Sequence, residues 1–237
     1  MKKLHFVLLS LAIISVITSC KKVIGEGPSV TENRVIGNFS SVASSISADV
    51  YYKQDPVYKV DITAQQNILN IIETNMVNNE LVIKFRNGVQ VRTHENIVVN
   101  VSSPTVNGLR ISGSGNLVAA DSIHSENMSL IVSGSGSISI QKLVATSLDA
   151  NISGSGNISI LNGFINTGKL RISGSGNIDV MNVPASSITT TTSGSGEMKV
   201  NASQNLDVTI SGSGSVFYMG HPEVNTHISG SGKVIHQ

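Results

Sequence analysis

The sequence predicts an all-β fold, a parallel β-helix (β-solenoid) wound from a single chain, and three observations carry the prediction. Seven Ser-Gly-Ser-Gly tetrads begin at Ser112, Ser133, Ser153, Ser173, Ser193, Ser211 and Ser229, in steps of 21, 20, 20, 20, 18 and 18 residues. A period near twenty is the mark of a stacked array, in which each repeat buries its apolar face only against its neighbours. Apolar residues also recur at odd offsets from the first Ser of each tetrad. Offset −1 holds Ile111, Val132, Ile152, Ile172, Thr192, Ile210 and Ile228, and offset +5 holds Leu117, Ile138, Ile158, Ile178, Met198, Val216 and Val234. Offsets −3 and +7 behave alike, so one parity faces the interior of a sheet. Lastly, the chain is rich in Gly, Ser, Thr and Asn with 4% aromatic residues, a composition poor in helix formers.

From the start of the chain, residues 1–19 read as a lipoprotein signal peptide: Lys2 and Lys3, a mostly apolar run over 6–17, then Ile17-Thr18-Ser19-Cys20. The run is too short to span a bilayer comfortably, and small residues precede the cleavage point. Cys20 is the only cysteine, so it staples nothing internally, and its place resembles the lipobox of bacterial lipoproteins. That resemblance implies a thioether-linked lipid on Cys20 and removal of 1–19, which anchors the mature chain without a transmembrane helix. Lys21 and Lys22 follow in place of the Asp that retains enteric lipoproteins at the inner membrane. The expected location is therefore the outer membrane of a Gram-negative envelope, with its periplasmic or external side left open. Residues 20–33 are expected to be a tether.

Residues 34–110 form an irregular opening region. Strand patterns cover 47–53, 57–63, 81–85, 89–93 and 97–101, with an Asp55-Pro56 turn between the first two. Ile68, Leu69, Ile71, Ile72 and Met76 fall at helical spacing, which predicts one amphipathic helix over 64–77 that caps the opening rungs.

Residues 111–237 are the regular repeats. The glycines at +1 and +3 are Gly113, Gly115, Gly134, Gly136, Gly154, Gly156, Gly174, Gly176, Gly194, Gly196, Gly212, Gly214, Gly230 and Gly232. By parity both point inward, so the wall must bend or approach its neighbour closely, and each tetrad reads as a corner of the coil. The serines at 0 and +2 then face outward as a hydroxyl ladder that bonds along the axis. Offset +4 extends it through Asn116, Ser137, Asn157, Asn177, Glu197, Ser215 and Lys233. Variable return segments such as 141–147 and 161–168 close each turn, and seven rungs at about 4.8 Å give a rod of roughly 34 Å. In the last rung Thr226, Lys233 and His236 replace mostly apolar or neutral residues, which reads as protection of an exposed edge. A monomer or a weak end-to-end dimer is expected.

The order of features resembles one family. Val35-Ile36-Gly37-Asn38-Phe39-Ser40 is followed by Val60-Asp61-Ile62, Asn67-Ile68-Leu69 and Asn79-Glu80-Leu81-Val82-Ile83. Then come Gly108-Leu109-Arg110-Ile111-Ser112-Gly113-Ser114-Gly115-Asn116 and the recurring Gly154-Ser155-Gly156-Asn157-Ile158 form. From Arg34 onward this is similar to the DUF2807 family of Bacteroidetes, the autotransporter adhesin "head GIN" domains. The resemblance implies a right-handed, single-chain β-helix and an adhesin-like role, and it supplies no catalytic residues.

Chemistry-bearing patterns are sparse. A net charge of +1 with 13% charged residues removes the electrostatic case for nucleic acid. Among repeat carboxylates only Asp149 and Asp207 share a column, three rungs or roughly 14 Å apart, wider than either glycosidase geometry. Calcium-binding β-roll repeats need Asp where the tetrads have Ser. His94, His124, His221, His227 and His236 lack ligand spacing. A phosphate-cradling Gly loop opens a helix, whereas each tetrad opens a strand. The four threonines at 189–192 resemble an ice-binding ladder on one rung only. No catalytic residue, cofactor or metal is therefore expected. The leading reading is a non-enzymatic envelope lipoprotein whose Ser/Asn surface serves adhesion or glycan contact. The alternatives are a periplasmic structural or envelope-stress lipoprotein with a protein partner, and a carbohydrate-active enzyme.

Overall fold

The computed structural model describes residues 21–237, so residues 1–19, expected to be a signal peptide, and Cys20 lie outside the described residues. The stretch expected to be a tether is folded onto the body. Strand β1 (Lys21–Ile24) runs parallel to a later strand over 89–93, and β2 (Ser29–Asn33) runs antiparallel to one over 59–65. Their link is fastened as well. Gly25 N–H donates to Thr93 O (2.7 Å), and the Asn67 side chain donates to Ile24 O (2.7 Å) and accepts from Glu26 N–H (3.1 Å). Backbone groups that pair this fully hold a segment without an apolar core of its own.

The opening coils comprise β3 (Ser41–Ser44), β4 (Asp49–Gln54), β5 (Lys59–Gln65), α1 (Gln66–Leu69), β6 (Ile72–Val77), β7 (Glu80–Phe85), β8 (Val89–Thr93) and β9 (Val98–Ser103). The helix expected over 64–77 is a single turn. Ile68 and Leu69 are buried, but Ile72 onward leaves the helix to pair antiparallel with β7, from Ile72↔Phe85 to Val77↔Glu80. The reversal is made by Asn78 (φ 49°) and Asn79 (φ 63°), two consecutive left-handed residues that form the hairpin turn matching strand twist. The apolar spacing fits both periods, and six ladder pairs to β7 decide for the strand. Further antiparallel pairs, β2–β5 and β5–β9, make this end of the stack a mixed sheet, unlike the all-parallel ladders beyond it.

The repeats follow as β10 (Gly108–Gly113), β11 (Asn116–Gly134), β12 (Ser137–Gly154), β13 (Asn157–Ile160), β14 (Gly163–Gly174), β15 (Asn177–Asp179), β16 (Ala185–Gly194), β17 (Glu197–Gly212), β18 (Ser215–Met219), β19 (Glu223–Gly230) and β20 (Lys233–His236). All pair in parallel, and the fold is a β-solenoid of about six turns. Its register reproduces the sequence columns: Ile111, Val132, Ile152, Ile172, Thr192, Ile210 and Ile228 are successive ladder partners. All but the last are buried, at roughly 1.5–3 kcal/mol for each large aliphatic side chain. Return segments are regular too: Leu143↔Gly163 to Ala145↔Ile165 is a third ladder, with Leu143, Ala145 and Ile165 inside.

At the corners the two glycines do different work, and the parity argument holds for only one. The first glycine of each tetrad has φ between 111° and 129°. It turns the chain and is partly exposed in most rungs. The second is buried in the inner corners: a Cβ on Gly156 would overlap the Gly136 carbonyl oxygen and Val132 Cγ1 of the preceding rung. The threonines at 189–192 alternate, with Thr190 and Thr192 buried in the inner columns, so they form no outer ladder.

Candidate functional site

Of the residues singled out from sequence, Cys20 lies outside the described residues, and the fourteen tetrad glycines form the two corner columns. The corner serines face outward, yet among the described residues no tetrad serine hydroxyl bonds another. Side-chain bonding along the axis runs instead through the offset +4 column expected to extend that ladder. Ser137 Oγ donates to Asn116 Oδ1 (2.7 Å), Asn116 Nδ2 to Asp49 Oδ1 (3.0 Å), and Asn177 Nδ2 to Asn157 Oδ1 (3.0 Å). Hydrogen bonds from Asn96 and then Asn116 hold the Asp49 carboxyl below its ordinary range. The Ser147–Asn127 and Ser186–Asn166 pairs repeat the arrangement on other columns. These amides and hydroxyls largely satisfy one another, which leaves less of the Ser/Asn face for a ligand.

The corner serines Ser133, Ser153, Ser173 and Ser193 line a depression of about 280 Å³, and larger ones lie where the opening coils meet the first repeats. Register places Asp61 opposite Asn100, Asn100 opposite Tyr51, and Tyr51 opposite Val118, so the four side chains form one row across β5, β9, β4 and β11. Tyr51 is 44% exposed, whereas its neighbour Tyr52 turns inward and is buried. The Tyr52 hydroxyl meets Ser103 Oγ at 2.9 Å, and burial pushes its pKa up to about 12. The row floors a depression of about 370 Å³ rimmed by Lys53, Asp55, Lys59 and Asp121. Lys53 Nζ lies 3.3 Å from Asp55, and Lys59 pairs with Asp61. Both carboxyls are held below the ordinary range, Asp55 by the Val57 backbone N–H and then Lys53, Asp61 by Lys59 and then Asn33.

Ala120 and Asp121 are shared with a second depression of about 610 Å³, which in turn shares Val144 and Phe164 with a third of about 810 Å³. The third is shelved by the ladder neighbours His124, Val144 and Phe164, with Phe164 50% exposed, and rimmed by Asn107, Asn127 and Asn166. Gln54 ties the two ends together, donating to His124 O (3.1 Å) and accepting from His124 N–H (2.8 Å). The result is a groove across several rungs with an exposed aromatic ring at each end and amides and carboxylates between them. Among the described residues no group of three His, Cys, Asp or Glu side chains is placed to hold a metal. Asp149 and Asp207 do share a column, with Lys169 and Thr189 between them. Each is engaged separately, Asp149 with Arg171 (2.7 Å) and Asp207 with Asn225 (3.2 Å).

The model of the DUF2807 family, described as "Putative auto-transporter adhesin, head GIN domain", matches residues 38–222. The chain belongs to this family. The match spans the groove and stops before the final rung, which continues the same ladder. Solved structures share the fold. An adhesin, so titled as putative, from Bacteroides fragilis has a TM-score of 0.84 at 23% identity, over 91% of this chain and 100% of its own. One from Parabacteroides merdae has a TM-score of 0.78 at 21% identity, over 92% and 99%. A Parabacteroides distasonis protein titled as putatively lipid binding has a TM-score of 0.75 at 23% identity, over 92% and 100%. No curated protein matches the chain. At these identities the likeness is one of fold.

Proposed function

We propose that this DUF2807 protein is a non-enzymatic, lipid-anchored envelope β-helix that contacts glycans through the groove running from Tyr51 to Phe164. The observation that carries the reading is the row Asp61, Asn100, Tyr51 and Val118. A pyranose presents an apolar C–H face, which seats on an aromatic ring, and a rim of hydroxyls, which donate to carboxylates and exchange bonds with amides. A groove over several rungs suits an extended saccharide better than a compact metabolite. The contact surface therefore moves from the serine corners to the face on which the irregular coils and the first repeats meet.

The charge state of the groove supports binding without turnover. A glycoside hydrolase needs one carboxyl held protonated beside an ionised one, whereas Asp55 and Asp61 are both shifted toward the ionised form. Anchoring rests on Cys20 at the end of the signal sequence.

The test is a glycan microarray probed with the protein purified from membranes in detergent, with any hit titrated against variants. Tyr51→Ala and Phe164→Ala are each expected to weaken binding about tenfold, or about 1.4 kcal/mol, and Ser155→Ala to leave it unchanged. Absence of binding to any glycan, or binding indifferent to Tyr51→Ala, would sink the proposal.

A further inference from the structure

The N-terminal segment is docked from its first described residue, and this constrains how an anchored molecule can stand. Cys20 directly precedes β1, so a lipid on it is attached about 3.8 Å along the backbone from a residue already paired in a sheet, with no slack chain between them. Strand neighbours fix which end of the stack this is. From the repeats the order runs β11, β4, β9, β5, β2 on one ladder and β11, β10, β3, β7, β6 on another. The β1 exit is bonded to Asn67 of α1, which links β5 to β6, and to Thr93 of β8, which links β7 to β9, so it sits among the last strands of both ladders. The anchor thus enters at the capped end, opposite the open rung formed by β19 and β20.

The surface of that end differs from the sides of the rod. In the β1–β8 pair, Val23, Val89 and Val91 pack against the core, while Lys22, Ile24, Gln90 and Arg92 face outward and exposed. Ile24 is 57% exposed and Val77, on the outermost strand β6, is 50% exposed, with Met76 exposed next to Val77, Val30 and Val35 exposed in and just after β2, and the exposed Glu26 and Glu95 at the same end. Cations mixed with separate aliphatic side chains suit the boundary between headgroups and acyl chains.

We propose that the capped end is a bilayer-contacting face, so that the rod stands with its first coils on the membrane and its last rung farthest from it. The proposal rests on the lipid-anchor reading of Cys20, and the test separates the two. Full-length lipidated protein carrying one added cysteine, at Gln90→Cys or at Ser231→Cys, is labelled with an environment-sensitive dye and reconstituted in vesicles. The vesicles are phosphatidylethanolamine and phosphatidylglycerol with a shallow nitroxide-labelled lipid as quencher. The two positions are separated by at least the six tetrad steps, roughly 29 Å at the sheet spacing. Quenching is expected to be several-fold stronger at Gln90 than at Ser231, and Val77→Cys, on the facing cap strand, should match Gln90. Vesicle-bound protein with equal quenching at both ends would overturn the seating while leaving the anchor intact. Protein that fails to co-sediment with vesicles would remove the anchor and the seating together.

Discussion

Gly156 and Ser155 are adjacent in the chain and opposite in tolerance. The space a Cβ would need at Gly156 is taken by the Gly136 carbonyl oxygen and Val132 Cγ1, and neither can retreat without opening the ladder. Gly156→Ala is expected to cost about 3 kcal/mol, whereas Ser155→Ala, at an exposed position, should stay within about 0.5 kcal/mol. Thermal unfolding followed by circular dichroism measures both. Tyr52 supplies a pH signature. Its folded pKa is about 12 against an ordinary 10.0, first through burial and against the lowering effect of Ser103. The folded state therefore keeps a proton that the unfolded chain releases. Stability is fully present below pH 10 and falls as pH rises from 10 through 12, by up to roughly 3 kcal/mol. Tyr52→Phe should flatten that decline between pH 10 and pH 12 in urea titrations. At neutral pH it should cost only about 1 kcal/mol, because Ser103 Oγ keeps its bond to Thr105 O at 2.9 Å.

The regular rungs were legible as elements because each inner column is a repeated apolar residue whose register partner lies one tetrad step away. The first coils were less so. Ile68, Leu69, Ile71 and Ile72 satisfy a helical period, and only the pairing of β6 with β7 through Asn78 and Asn79 makes most of the stretch a strand. The Asn-Asn pair was the available signal, since a two-residue turn with both residues left-handed favours Asn and Gly. The segment at 21–33 has no apolar periodicity, and beyond its Gly27-Pro28 turn its structure comes from backbone pairing with residues 28 to 69 positions away. For the same reason the groove was hidden: Tyr51, Asp61, Asn100 and Val118 come from four strands that share no repeat. Their juxtaposition is set by one antiparallel pairing and two parallel ones at the irregular end. The serine columns stood out in sequence because they repeat alongside the corner glycines.

The rod has two different ends and one special side. The capped end carries the chain entry, the open end carries the unpaired edges of β19 and β20, and the groove opens on the flank beside the first repeats. Contact with glycans outside the cell, as an adhesin makes, requires that flank to face the cell's surroundings. Lys142 is exposed and lines the middle depression, so Lys142→Cys in the full-length protein reports on it directly. Intact cells of the source organism are treated with a membrane-impermeant maleimide, alongside a periplasmic protein carrying an exposed cysteine. The account predicts that Lys142→Cys is labelled while the periplasmic control is not. Labelling of Lys142→Cys only after the outer membrane is opened would contradict it and place the groove before a periplasmic partner.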